Sequence, residues 1–256
     1  MDRTEPYYRP DLALVHHLGF GSHADECAPG VLAWLEPVLA RRGLVVELGC
    51  GSGRLTRHLV DAGHRVLATD ASPAMVALAR TVVPDAEGVE VLTLPDDPIP
   101  AAAAVVSVGH ALSYLPDPAA VDRALVACAR AVRPGGVLAL DVLDLAYGPP
   151  RVDAPPYVRV EPDWVIVTRY AQPASARFVR DITVFVRDDA GTWHRDDEHH
   201  ENVLVDVARV PALLASEGID ATLRSGFGAE VLPAGLVALV GIRGGPDAVG
   251  PPGADR

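Results

Sequence analysis

The chain has 256 residues and no lysine: all 22 basic residues are arginine, set against 34 acids, for a formal net charge of -12. A nucleic-acid partner requires a basic footprint, and an anionic membrane surface attracts one, so neither is expected here. Only three cysteines occur, Cys27, Cys50 and Cys128. They are few, odd in number and far apart, which argues against a disulfide framework and against a CxxC metal site. No apolar run approaches the ~20 residues of a membrane span. The opening MDRTEPYYRP lacks the apolar core of a signal peptide. A soluble, reduced, cytoplasmic protein is therefore expected. Hydrophobic residues make up 49% of the chain, enough for a packed core, and the length suits one sizeable α/β domain with an elaboration.

From Leu44 to Val142 strand-like and helix-like segments alternate, which predicts a parallel sheet covered by helices. LVVELG, HRVLATD, GVEVLTL, AAVVSVG and VLALDVL read as five strands. SGRLTRHLVDAG is a helix closed by Gly63. Ser72 and Asp117, each followed by proline, read as N-caps of the next two helices. RPGG ends the second of these before strand five. The proline-rich GPPRVDAPP then marks a change. Three β-rich segments follow, with DDAGT as a hairpin turn. They predict an antiparallel meander inserted within residues 149–205. VARVPALLASEG, IDATLRS and LVALVGIR return to the α/β pattern. The expected organisation is an N-terminal helical cap over 1–43 and a doubly wound, mostly parallel domain over 44–148 plus 206–243. Residues 244–256 are Gly- and Pro-rich and expected to be disordered.

The informative stretch is VVELGCGSG, residues 45–53. A plain turn has little use for three glycines in five residues. A dinucleotide would use GxGxxG and place a pyrophosphate there. The spacing here is GxGxG, and a carboxylate at Glu47 would repel that group. A cofactor without phosphate fits better. S-adenosylmethionine carries a sulfonium and an ammonium, and Glu47 has the right sign for the ammonium. Asp70, at the end of the next strand, stands about where a ribose-binding acid is expected, and a carboxylate can accept from both hydroxyls of a diol.

With these motifs the sequence resembles the class I S-adenosylmethionine-dependent methyltransferases over roughly residues 44–145 and the last two strands. VVELGCGSG matches the family's first motif, Asp70 its ribose acid, and RPGGVLAL the turn before strand five. The resemblance implies a Rossmann-like sheet and S-adenosylmethionine as cofactor, with S-adenosylhomocysteine as product. It implies that Glu47, Gly49, Cys50, Gly51 and Gly53 line the methionine part. Asp70 would hold the ribose, Ala71 and Met75 would pack on the adenine, and Thr93 and Leu94 would reach its edge, with Asp96 or backbone as alternatives. Gly109 and His110 would border the transferred methyl. The N-terminal run also resembles a bacterial subgroup in which a helix covers the cofactor and an inserted sheet faces the substrate.

Methyl transfer from a sulfonium mainly requires alignment, with a general base only where the nucleophile starts protonated. His110, at the carboxyl end of strand four, is one candidate base; holding a loop is its plainer role. In DDEHHE, Glu198 and His200 fall on one face of a strand and His199 on the other. That pair could orient a base, or belong to a solvated face. The adjacent histidines have no zinc-type spacing, so no metal is expected. His16 shares a helical stripe with Leu12 and Phe20, facing either the site or the edge of an ordinary amphipathic helix. Tyr7 and Tyr8 precede it and offer an aromatic lid over the methionine part. Trp164 and Trp193 could wall an apolar pocket. These features predict methyl transfer to an oxygen or nitrogen of a small molecule, and the acidic balance favours a basic one such as an aminosugar or amine. A catalytically silent cofactor-binding protein and an NAD(P)-dependent oxidoreductase are the alternatives. The chain is expected to act as a monomer or homodimer, since an exposed antiparallel edge could pair two copies.

Overall fold

The computed structural model describes residues 7–245, so the tail expectation falls largely outside the described residues. Two helices, α1 (Pro10–Gly19) and α2 (Ser22–Ala40), precede the alternating segment. That segment runs β1 (Leu44–Leu48), α3 (Arg54–Asp61), β2 (Arg65–Asp70), α4 (Pro73–Val82), β3 (Gly88–Val91), β4 (Ala102–Ser107), α5 (Pro118–Ala131) and β5 (Val132–Leu143). After a single turn, α6 (Pro149–Val152), come β6 (Tyr157–Val160), β7 (Trp164–Ala174), β8 (Arg177–Arg187) and β9 (Trp193–Val203). The chain closes with α7 (Val210–Ser216), β10 (Ile219–Arg224) and β11 (Leu236–Arg243). Among the described residues no helix is long and apolar enough to cross a membrane.

Seven strands form one sheet in the order β10-β11-β5-β4-β1-β2-β3. β1 to β5 pair in parallel, and β11 is antiparallel to both β5 and β10. Strand order reverses between β1 and β4, which places a crevice at their carboxyl ends. β1 and β4 are buried on both faces, as helices on either side of a parallel sheet require. The helix starts follow their caps: Ser72 Oγ accepts from Met75 N at 3.2 Å, and Asp117 Oδ1 accepts from Ala120 N at 2.7 Å.

RPGG differs from expectation. α5 stops at Ala131 and the chain enters β5 directly, with the two glycines inside the strand. A Cβ on Gly136 would stand 2.5 Å from the carbonyl oxygen of Ala103, so the close approach of β4 selects glycine there. The first β-rich segment of the insertion is two strands, β6 and β7, and the insertion forms its own antiparallel sheet in the order β6-β7-β8-β9. The two N-terminal helices also part company. α2 packs on the main sheet through Val31, Leu35 and Val38. α1 packs on the inserted sheet, its Leu12 and Val15 against Trp164, Ile166, Ile182 and Val184.

Candidate active site

The three glycines of the turn after β1 have different reasons to be glycine. All take positive φ: +69° at Gly49, +54° at Gly51 and +85° at Gly53. A Cβ on Gly49 would lie 2.3 Å from that of Ala111, and one on Gly53 would meet Val83 at 3.0 Å and Ala79 at 3.3 Å. A Cβ on Gly51 would meet nothing within 4 Å, and the same holds for Gly109 after β4, whose φ is +98°. Packing accounts for Gly49 and Gly53. Open space lies over Gly51 and Gly109, at the carboxyl ends of the two central strands.

Asp70 ends β2 beside this space. Its Oδ2 accepts from Gly51 N at 2.9 Å and its Oδ1 from Ser72 N at 2.8 Å. Burial raises its pKa, while these backbone donors pull it down. Each oxygen keeps a second lone pair for a ligand hydroxyl. Ala71 is exposed next to it, and Met75 is buried one turn into α4. Thr93 and Leu94 follow β3. Thr93 is exposed with its N–H on Asp97 Oδ2 at 2.7 Å, and Leu94 packs against the core. The side chains of Glu47 and Cys50 turn inward. Glu47 is 2% exposed and accepts from Thr56 Oγ1 at 2.7 Å. Burial, with Asp70 adding to it, raises its pKa to about 8, so near neutral pH it is largely uncharged. Cys50 packs on Ala68 and Ala79, and burial holds it as a thiol.

The N-terminal segment closes over this region. Ser72 Oγ donates to the Tyr8 carbonyl at 2.8 Å, and His17 Nδ1 lies 2.9 Å from Ser52 Oγ. From the inserted sheet Glu198 accepts from Tyr8 N and Arg9 N, each at 2.8 Å. Tyr8 itself holds the left-handed conformation, with φ of 58°. A residue outside glycine pays in strain for that conformation, and three elements hold it in place. His16 faces the same region, stacked on Phe20 at 5.8 Å and edge-on to Tyr8 at 5.2 Å. Burial, then the positive charge of Arg180, lowers its pKa to about 4.

Glu198 and His200 do share one face of β9, and that face is interior: they are 6% and 0% exposed. His200 Nε2 lies 2.8 Å from Glu198 Oε2. A carboxylate only accepts, so Nε2 carries the hydrogen and a neutral ring presents its lone pair at Nδ1. Among the described residues Nδ1 is buried without a partner. Burial lowers the His200 pKa to about 4, outweighing the opposing pull of Glu198. His199 points the other way, onto Asp181 at 2.7 Å.

His110 follows Gly109 in a left-handed conformation, its ring stacked on Tyr114 at 5.7 Å. Its Nδ1 is also buried and unpartnered, and burial pushes its pKa well down. The loop is held by a residue that sequence reasoning passed over. Asp141, inside the apolar VLALDVL of β5, is fully buried and accepts from Gly109 N at 2.8 Å and His110 N at 2.6 Å. An acid in an otherwise apolar central strand was the available signal. Arg180 of β8 was passed over as well. It donates to the Tyr114 hydroxyl, which also lies 2.8 Å from that of Tyr8. Trp164 packs beneath Gly19 of α1, whereas Trp193 is 46% exposed at the far end of β9.

The arrangement matches known proteins. Residues 45–136 match the family model of a methyltransferase domain. An uncharacterized methyltransferase of Mycobacterium tuberculosis is 38% identical over 116 residues, 44% of each chain, so this chain spans less than half the length of that curated relative. A solved S-adenosylmethionine-dependent methyltransferase from Clostridium acetobutylicum superposes with a TM-score of 0.75 at 14% identity, covering 91% of this chain and 98% of that one. The sugar N-methyltransferase KedS8 from Streptoalloteichus gives 0.70 at 20% identity, covering 95% and 98%. Residues 45–136 thus match a methyltransferase domain, and the fold of the chain is that of solved S-adenosylmethionine-dependent methyltransferases.

Proposed function

We propose that the chain is a cytoplasmic enzyme that moves a methyl group from S-adenosylmethionine to an oxygen or nitrogen of a small molecule. The observation that carries this reading is the open space over Gly51 and Gly109, bordered by Asp70 and roofed by Tyr8. When bound, the cofactor supplies a methyl group already activated on a positively charged sulfur. Gly51 lets the backbone approach it closely, and the Asp70 carboxylate accepts from ribose hydroxyls. Tyr8 and His16 exclude water from above, a role that fits the tethering of Tyr8 by Ser72 and Glu198 and the packing of His16 on Tyr8. The inserted sheet supplies the acceptor side, and the solved sugar N-methyltransferase with this fold agrees with a small acceptor. Three free, buried thiols suit a reducing compartment.

As the acceptor oxygen or nitrogen bonds to the methyl carbon, its proton needs a destination. His200 is the favoured base, because Glu198 fixes its tautomer and its Nδ1 is unpartnered. His110 is the second candidate. Calorimetric titration of S-adenosylmethionine and S-adenosylhomocysteine into the wild type and Asp70→Ala tests the cofactor site. Binding should weaken at least about tenfold in the variant, and no binding of either ligand to the wild type overturns the reading. Labelled-methyl transfer to pooled small metabolites then tests the base. His200→Ala should lower turnover roughly a hundredfold with cofactor binding kept, and unchanged turnover in both His200→Ala and His110→Ala refutes a histidine base.

A further inference from the structure

β8 alternates Phe178, Arg180, Ile182, Val184 and Val186 toward the interior, an apolar face broken by one cation. Arg180 pairs across the sheet with Tyr170 on β7 and His200 on β9, so all three share the face turned to the site. A guanidinium has five donors in a planar fork and does not lose its charge. Among the described residues only the Tyr114 hydroxyl accepts from it, and its Nε is buried with no partner.

Among the described residues no acid is hydrogen-bonded or ion-paired to Arg180. Burial pushes the Tyr114 phenol well up, so it stays protonated. Burial and Arg180 itself keep His16 and His110 uncharged, and burial does the same for His200. Of the acids bordering the cluster, Glu198 accepts from Tyr8 N and Arg9 N and bonds His200, and Asp141 accepts from Gly109 N and His110 N and lies 3.5 Å from His23 Nε2; neither bonds Arg180. Arg180 is half-buried with its Nε shielded from water, and a cation so placed is unfavourable without a counter-charge. Its fork geometry matches an oxyanion, and aromatic rings surround it: Tyr114, with Tyr7 and Tyr8 at centroid distances of 5.2 and 5.9 Å from that ring.

We propose that Arg180 receives an anionic group, a carboxylate or a phosphate, carried by the methyl acceptor, so that the substrate is an acidic molecule with a flat or apolar body. This rests on the methyltransferase reading and reverses the expectation of a basic acceptor. The net charge of -12 belongs to the chain as a whole and does not set the charge of this face, whose cation is Arg180.

The test is calorimetric titration of benzoate, phenyl phosphate and the neutral benzamide into the wild type, Arg180→Met and Arg180→Lys, each with and without S-adenosylhomocysteine. Benzoate or phenyl phosphate should bind the wild type saturably and benzamide should not; which anion binds separates a carboxylate from a phosphate acceptor. Arg180→Met should weaken the anion roughly tenfold or more, Arg180→Lys should retain part of the binding, and S-adenosylhomocysteine should bind both variants within about twofold of wild type. Removing an unpaired half-buried charge should not unfold the protein. No anion binding to the wild type, or binding indifferent to Arg180→Met, overturns the proposal. So does loss of S-adenosylhomocysteine binding in Arg180→Met, which would place Arg180 on the cofactor's own carboxylate. Failure of S-adenosylhomocysteine to bind the wild type would count against the methyltransferase reading alone, because the cofactor-free titrations still report on Arg180.

Discussion

Replacing Gly51 by alanine separates a glycine kept for a ligand from one kept for packing. At φ of +54° an alanine pays the left-handed penalty of roughly 1–2 kcal/mol, and its methyl meets no protein atom within 4 Å. At Gly49 the same penalty applies at φ of +69°, and the methyl would also overlap Ala111 Cβ at 2.3 Å. Overpacking of that kind adds about 1–3 kcal/mol. A chain of this size loses about 2–4 °C of melting temperature per kcal/mol. Gly51→Ala should therefore melt a few degrees below wild type and Gly49→Ala clearly lower. Affinity should rank differently. The new methyl at position 51 enters the open space, and S-adenosylhomocysteine binding should fall at least about tenfold, or 1.4 kcal/mol. Circular dichroism melts and calorimetric titration of the two variants read both quantities. Gly51→Ala with wild-type affinity would show that the turn does not cradle the cofactor. Equal destabilisation by the two substitutions would refute the separation of roles.

Glu47→Gln should alter the pH dependence of stability. The Glu47 pKa is raised from 4.5 to about 8, so its contribution is complete below pH 4.5 and is lost as pH rises through 8. Glutamine does not ionise and can still accept from Thr56, so the variant should match wild type at pH 4 and melt higher at pH 8.5. His16 and His200 act at the other edge. Their pKa values are lowered from 6.5 to about 4, so their contribution is present above 6.5 and is lost as pH falls toward 4, and His200→Gln should flatten that acid decline in a melt series. Asp141→Ala removes two charge-assisted bonds to buried N–H groups and should cost about 3 kcal/mol or more by denaturant unfolding, with Asp141→Asn intermediate.

The sequence carried the α/β order, both capped helices and the glycine turn because each depends on neighbours a few residues away. Alternation along DDEHHE placed Glu198 and His200 together correctly. It did not say which face was interior, because that depends on the segment leading into α1, 190 residues earlier in the contact from Tyr8 N to Glu198. Trp164 suggested a substrate wall for the same reason: alternation marks an apolar face without naming its cover, and the cover is α1. Glu47 shows the limit of arguing from charge. The sign suited an ammonium, but burial raises the Glu47 pKa against the opposing pull of the Thr56 hydroxyl. Asp141 and Arg180 were visible as charges within apolar patterns. Their partners come from a loop 31 residues away and a hydroxyl 66 residues away, beyond any local spacing.

The inserted sheet is anchored in both layers of the main core. Phe178 and Leu204 lie in the cluster on one face of the seven-stranded sheet, and Val203 and Val205 in the cluster on the other. Val205 N also donates to Leu143 O at 2.8 Å, bonding the return of the insertion to its point of departure. Excising the insertion would open cavities on both sides of the central sheet. The inserted sheet is thus part of the main sheet's folding unit, and the two should denature in a single cooperative transition. If Arg180 receives the acceptor as proposed, new specificity in this scaffold has to come from such side chains one at a time, because the sheet that bears them cannot be exchanged whole.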